Sequence, residues 1–175
     1  MVFPGKIELG SEKKQQAYRN ITWHGFIFEW WGARALGVAD WVNDRDIFLG
    51  QALTAFKDEE GQHSKFFYDC NRLAGGPAEL KPSTRDRLLL LSTAYLPVFS
   101  NRLSLSSNIL VESVADSAFE MLNSEVTEPA LKEGLGYIIP VERDHMKFLQ
   151  NEYRALGKDP PKIIRHLEMQ MIKQF

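Results

Sequence analysis

Two tetrapeptides in this 175-residue chain have the form Glu-x-x-His: Glu60-Gly61-Gln62-His63 and Glu142-Arg143-Asp144-His145. Residues three apart on a helix share a face, so each tetrapeptide aims one carboxylate and one imidazole at a common point, as a divalent metal ion requires. Two tetrapeptides imply two metals. Four histidines occur, at 24, 63, 145 and 166, and two of them carry a glutamate three positions earlier. One such match is unremarkable on composition alone, and the second draws its weight from the elements around it.

Those elements read as helices. Apolar residues recur at three- and four-residue spacing, and alternating β-branched runs are nearly absent, which predicts an all-α fold. Helix 1 is expected over 11–38, opened by Ser11, and helix 2 over 44–73, opened by Asn43 or Asp44 and closed by Gly75-Gly76-Pro77. A shorter helix at 83–96 carries Leu88-Leu89-Leu90-Leu91 and belongs to a long crossover. Helix 3 is expected over 102–123 and helix 4 over 128–157, with Thr127 as cap and Pro129 in the first turn. A last amphipathic helix at 161–175 places Ile164, Leu167, Met171 and Phe175 on one side. The length suits one domain over 1–175, with the bundle core at 11–157.

Helix 2 sets Leu49, Leu53, Phe56, Glu60, His63, Phe67 and Cys70 on one stripe, so its Glu and His interrupt an apolar seam. Helix 4 repeats the pattern with Leu131, Leu135, Ile138, Glu142, His145, Leu149 and Leu156. In an antiparallel pair, residues at one height have position numbers of roughly constant sum, because both helices rise equally per residue. Midway between 29 and 60 lies the predicted turn after helix 1, so Glu29, the one acid well inside that helix, is level with Glu60. Midway between 112 and 142 lies Thr127, so Glu112 is level with Glu142. Four carboxylates and two imidazoles thereby converge inside a four-helix bundle, the ligand set of a ferritin-like di-metal site. Buried carboxylates demand compensating cations, and hard oxygens with one imidazole per metal suit two iron ions, with manganese or a mixed pair as the alternative. Asp116, one turn after Glu112, is a candidate hydrogen-bond partner for the outer nitrogen of a ligand histidine.

At this point the chain resembles the ferritin-like di-iron carboxylate superfamily of rubrerythrins, bacterioferritins and small di-iron oxygenases, over roughly residues 15–155. The stretch from Glu60 to Phe67 is similar to the second-helix motif of the rubrerythrin group, and Glu142 to His145 to its fourth. The resemblance implies that Glu60 and Glu142 bridge the metals, Glu29 and Glu112 are terminal ligands, and His63 and His145 bind one metal each. It departs at Ala115, where rubrerythrins carry a further glutamate, and in holding a single cysteine, Cys70, where they carry a Cys-rich module.

Bulk composition narrows the functional classes. A net charge of −2 leaves no basic footprint for nucleic acid. No apolar run reaches membrane-spanning length, no secretory signal is evident, and one cysteine forms no internal disulfide, so a cytoplasmic protein is expected. The expected activity is that of a non-haem di-iron oxidase or oxygenase acting with dioxygen on a small, mostly apolar substrate. Its electrons would come from an external ferredoxin or reductase. The rival readings are a ferroxidase or iron-storage protein, a rubrerythrin-like peroxide-handling protein, and a helical interaction module without metal. Helix 1 is apolar nearly all round, with Trp23, Phe26, Ile27, Phe28, Trp30 and Trp31, which predicts a homodimer through that helix. Pro140, two residues before Glu142, predicts a kink or bulge beside the site, and Gly25, Gly32 and Ala33 offer room for a substrate beside Glu29. His24 and His166 lack partners at ligand spacing.

Overall fold

A computed structural model describes residues 6–35, 47–77, 81–85, 87 and 101–156. They form four long helices: α1 (Glu12–Ala35), α2 (Ile47–Leu73), α3 (Asn101–Glu125) and α4 (Pro129–Ala155). No strand occurs among the described residues. The expected turn after helix 1, most of the 83–96 helix, the 161–175 helix and His166 lie outside them. No helix among the described residues is long and apolar enough to cross a membrane.

The helix ends follow local chemistry, with one correction. Ser11 opens α1 as expected, its Oγ accepting from Lys14 N at 3.3 Å and its carbonyl from Gln15 N at 2.9 Å. Gly75, at φ +79°, closes α2, because its left-handed backbone lets the Gly75 and Gly76 N–H groups reach the carbonyls of Arg72 and Asn71. The cap of α4 is Glu128 rather than Thr127. Its carboxylate folds back to accept from Ala130 N at 3.0 Å and Leu131 N at 2.7 Å, and it also accepts from the buried Tyr18 hydroxyl at 3.1 Å. A shorter threonine would cap the helix without reaching α1. α4 runs without a π-bulge through Pro140, whose ring lies on the exposed side.

Helices α1 and α2 run antiparallel. Asn71 Nδ2 donates to Arg19 O and Thr22 Oγ1, Ser64 Oγ donates to Phe26 O at 3.4 Å, and Gly32 faces Glu60, so numbers rise on one helix as they fall on the other. α3 and α4 pair in the same sense, from Asn123 O with Lys132 to Ser113 with Met146. α2 and α4 meet along Phe66 with Gly134, Glu59 with His145, and Phe56 with Phe148, again antiparallel. The core between them is aromatic and aliphatic, with Phe67 stacked on Phe119 at 5.3 Å and Leu131 and Leu135 fully buried. Leu156, placed on the helix 4 stripe by sequence, is 42% exposed, because α4 ends at Ala155 beyond the reach of the core.

Glycines set the closeness of these contacts. A Cβ at Gly134 would lie 2.0 Å from Phe66 Cζ, whereas one at Gly136 would meet nothing within 4 Å. The two positions share a helix, so their alanine variants separate packing from propensity. Gly136→Ala is expected to stabilise the protein by about 0.5–1 kcal/mol. Gly134→Ala is expected to destabilise it by about 1–2 kcal/mol, since displacing the ring outweighs the same gain in propensity. Urea denaturation of both variants checks the contrast.

Candidate metal centre

The seams of α2 and α4 face each other midway along the bundle, and there the apolar pattern gives way to polar groups. Glu60 and His63 of α2 meet Glu142 and His145 of α4, with Glu29 of α1 and Glu112 of α3 completing the ring. All six are buried. Sequence reasoning named these six, and the structure brings their side chains together.

The cluster divides into two overlapping halves. Glu29, Glu60, His63 and Glu142 each place one donor atom within 4.8 Å of the others, and Glu60, Glu112, Glu142 and His145 do the same. Such groups could hold a metal ion each. Glu60 and Glu142 belong to both halves, Glu29 and Glu112 to one each, and each half has one imidazole.

The atoms converge without hydrogen-bonding. His63 Nδ1 lies 2.7 Å from Glu142 Oε1 and 3.3 Å from Glu29 Oε2. His145 Nδ1 lies 3.1 Å from Glu60 Oε1 and 3.5 Å from Glu142 Oε2. Yet both Nδ1 atoms, Glu29 Oε2, Glu60 Oε1 and Glu142 Oε1 have no hydrogen-bond partner by direction as well as distance. Lone pairs aimed at shared points rather than at hydrogens are what a cation between them would satisfy, so the donor set fits two divalent ions.

Charge gives the same account. Burial pushes Glu29 well above the ordinary carboxylate range, and the Glu142 charge adds to it. Burial raises Glu60 and Glu112 likewise, reinforced by Glu29 and by Glu60 respectively. Burial alone would raise Glu142 too, but its contacts with His145, His63 and Glu112 hold it below the usual range. Burial would lower His145, but Glu142, Glu60 and Glu59 outweigh it and bring the imidazole up to about 11. The metal-free cluster thus keeps protons that a pair of cations would displace.

One partner escaped the sequence reading. His145 Nε2 lies 2.7 Å from Glu59 Oε2, which orients the ring so that Nδ1 faces the cluster. Asp116, expected in that role, turns instead to Arg143, whose Nε is 3.5 Å from its Oδ1 and whose Nη2 pairs with Glu120. The available signal was the run Asp58-Glu59-Glu60, in which a second acid adjoins a ligand. Phe56 stacks on His145 with centroids 4.0 Å apart, and Phe148 closes edge-on over Phe56 at 5.1 Å. His63 has no stacked ring among the described residues: it lines a cavity of about 540 Å³ open to the surface between α2 and α4, with Glu59, Gln62, Tyr137 and Val141.

One further expectation shifts. Gly25 and Gly32 serve close packing rather than leaving room beside Glu29, since a Cβ at Gly25 would lie 2.6 Å from Phe67 and one at Gly32 2.8 Å from Glu60 Oε2. His24 is exposed. Asp144 faces solvent and pairs with Lys147 at 2.7 Å. The outer face of α1 shares a cavity of about 310 Å³, lined by Trp23, Trp30, Trp31 and Arg85. No protein-family model matches the chain, and no curated protein or solved structure does either.

Two divalent metals per chain are expected from elemental analysis, and Glu142→Ala, which removes a donor common to both halves, should lose both. Glu59→Gln should retain the ligands but weaken metal affinity about 10–100-fold. The raised groups also set a pH dependence. Their stabilisation of the metal-free fold is complete below the ordinary values of 4.5 for Glu29, Glu60 and Glu112 and 6.5 for His145, and is lost as pH rises through their raised values. Glu142 acts oppositely, stabilising above 4.5 and losing that contribution on acidification. Thermal melts of metal-free protein should therefore fall from neutral toward alkaline pH, metal should flatten the decline, and metal uptake in weak buffer should release protons.

Proposed function

We propose that this chain is a ferritin-like four-helix protein with a non-haem di-iron site, acting as an oxidase or oxygenase on a small apolar substrate. The observation that carries this reading is the sharing of Glu60 and Glu142 by both halves of the cluster, the arrangement of a dinuclear rather than a mononuclear centre. The antiparallel α1–α2, α2–α4 and α3–α4 contacts leave α2 and α3 parallel, the relative sense that a ferritin-like bundle has. Iron fits the oxygen-rich donors with one imidazole per half, and manganese is the competitor.

Glu60 and Glu142 would bridge, Glu29 and Glu112 would be terminal ligands, and His63 and His145 would bind one metal each. A bound iron pair would supply redox chemistry with dioxygen at the shared carboxylates. The chain's own part is positioning. Glu59 holds the proton on His145 Nε2 and leaves Nδ1 as donor, while Phe56 and Phe148 keep water from that ring. The cavity beside His63 gives small molecules an approach to the other half. A lone buried Cys70, its thiol pushed up to about 12 by burial, offers no redox relay, so electrons would come from a ferredoxin or reductase. We place the protein in the cytoplasm, as a homodimer through the outer aromatic face of α1.

Oxygen chemistry separates this reading from iron storage. Chemically reduced, iron-loaded protein mixed rapidly with oxygen should oxidise once per site and stop until electrons are resupplied. Added ferrous iron should not accumulate. Continuous uptake of hundreds of iron equivalents into a soluble assembly would overturn the proposal in favour of a ferroxidase. For the assembly, replacing Trp30 and Trp31 together by glutamine should convert a dimer to a monomer in light scattering with metal content unchanged.

A further inference from the structure

Between α1 and α3 runs a groove of about 520 Å³, within the range of small-molecule sites and distinct from the cavity beside His63. Its walls are Ile21 and Phe28 on one side and Ala115, Ala118 and Met121 on the other, over a floor that includes Phe67 and Phe119. Among the described residues no lysine or arginine lines it. Its polar groups, Asn20, His24 and Glu125, belong to residues that also border solvent.

The groove has a direction. Gly25 precedes Glu29 by one helical turn, and Ala115 follows Glu112 by nearly one, so the two residues share faces with the two terminal carboxylates. Leaving that level, α1 is followed toward Asn20 and α3 toward Glu125, and both lead to the same far end. From Ala115 to Glu125 the helix rises about 15 Å at about 1.5 Å per residue, so the groove is long for its volume. Ala115 and Ala118, one turn apart, give α3 a flat bed where larger side chains would close it.

We propose that this groove binds an uncharged, chain-shaped apolar molecule, lying along Ala115 and Ala118 with one end toward Glu29 and Glu112 and its polar end, if any, near Asn20. The assignment deepens the proposed oxidase or oxygenase reading and rests on it for the identity of the bound molecule as substrate. Among the described residues a carboxylate head would find no lysine or arginine, only His24 at the solvent border, and would face Glu125, which is why the molecule is uncharged. A second copy of the chain is a poorer occupant. A channel about 15 Å long covers far less than the about 800 Å² per partner of a stable interface. Exposed Ile21 (39%) and Met121 (68%) are then the rim over which a chain slides in.

The test uses 1-decanol as probe, titrated calorimetrically into metal-loaded and metal-free protein, with metal content measured on each sample. Binding is expected in both, at one site per chain. Ala118→Trp, which fills the bed from an exposed position, should weaken binding at least tenfold with metal content and helicity unchanged. Met121→Glu should weaken it less steeply by charging the rim. Decanoate should bind at least tenfold more weakly than decanol. Failure of metal-loaded wild type to bind decanol, or equal binding by Ala118→Trp, would overturn the groove assignment and leave the di-metal reading standing. Absence of metal from the wild type would strike that reading, while decanol binding by the same sample would still support the groove. A fall in solution mass on Met121→Glu would assign the groove to a second copy and overturn the proposal.

Discussion

Four carboxylates and two imidazoles occupy the middle of the helices, where apolar seams meet, and the surrounding structure is arranged around the cost of that burial. Taking ionised carboxylates out of water costs several kcal/mol each even after the surroundings relax. Each is therefore held at close range to another charge or a proton. Of the four, Glu142, touched by both histidines, is the one held below its ordinary range, while Glu29, Glu60 and Glu112 are pushed above theirs. A cluster in this state could hold cations, since its ligand atoms converge and its protons could be displaced. Packing yields to it, since Gly32 exists where any Cβ would press on the Glu60 carboxylate.

The two halves are alike in donors and unlike in surroundings. His145 has Glu59 on its outer nitrogen and Phe56 stacked on its ring. His63 lines a surface cavity, whose wall also includes Glu59.

Precision at the centre depends on the polar ties elsewhere. Asn71 bonds to Thr22 and to the Arg19 carbonyl, and Tyr18 to the Glu128 cap of α4, each tie joining different helices near the end of the bundle away from the cluster. Apolar packing alone tolerates sliding by fractions of a turn, whereas a buried hydrogen bond is lost by it. Arg143 adds an outer clasp to Asp116 and Glu120, exposed and correspondingly weak.

The sequence by itself determined the helical class, the helix phases, and through them the six cluster residues. Glu-x-x-His within an apolar seam reports its own direction, and equal rise on antiparallel helices makes Glu29 and Glu112 computable from turn positions. These are local or one-dimensional properties. What only tertiary structure decided depends on approach between helices. Glu59 and Asp116 are both acids near the ligands, and nothing in their spacing tells which reaches an imidazole on α4; the rotation of α2 against α4 gives His145 to Glu59 and leaves Asp116 to Arg143. Gly25 and Gly32 read equally as empty space or as contact until Phe67 and Glu60 are placed against them. Glu128 capped α4 in place of Thr127 because Tyr18, 110 residues earlier in the chain, stands where a longer side chain can answer it. Side chains meet across helices at distances that the order of residues does not encode, and the partners of the cluster were settled there.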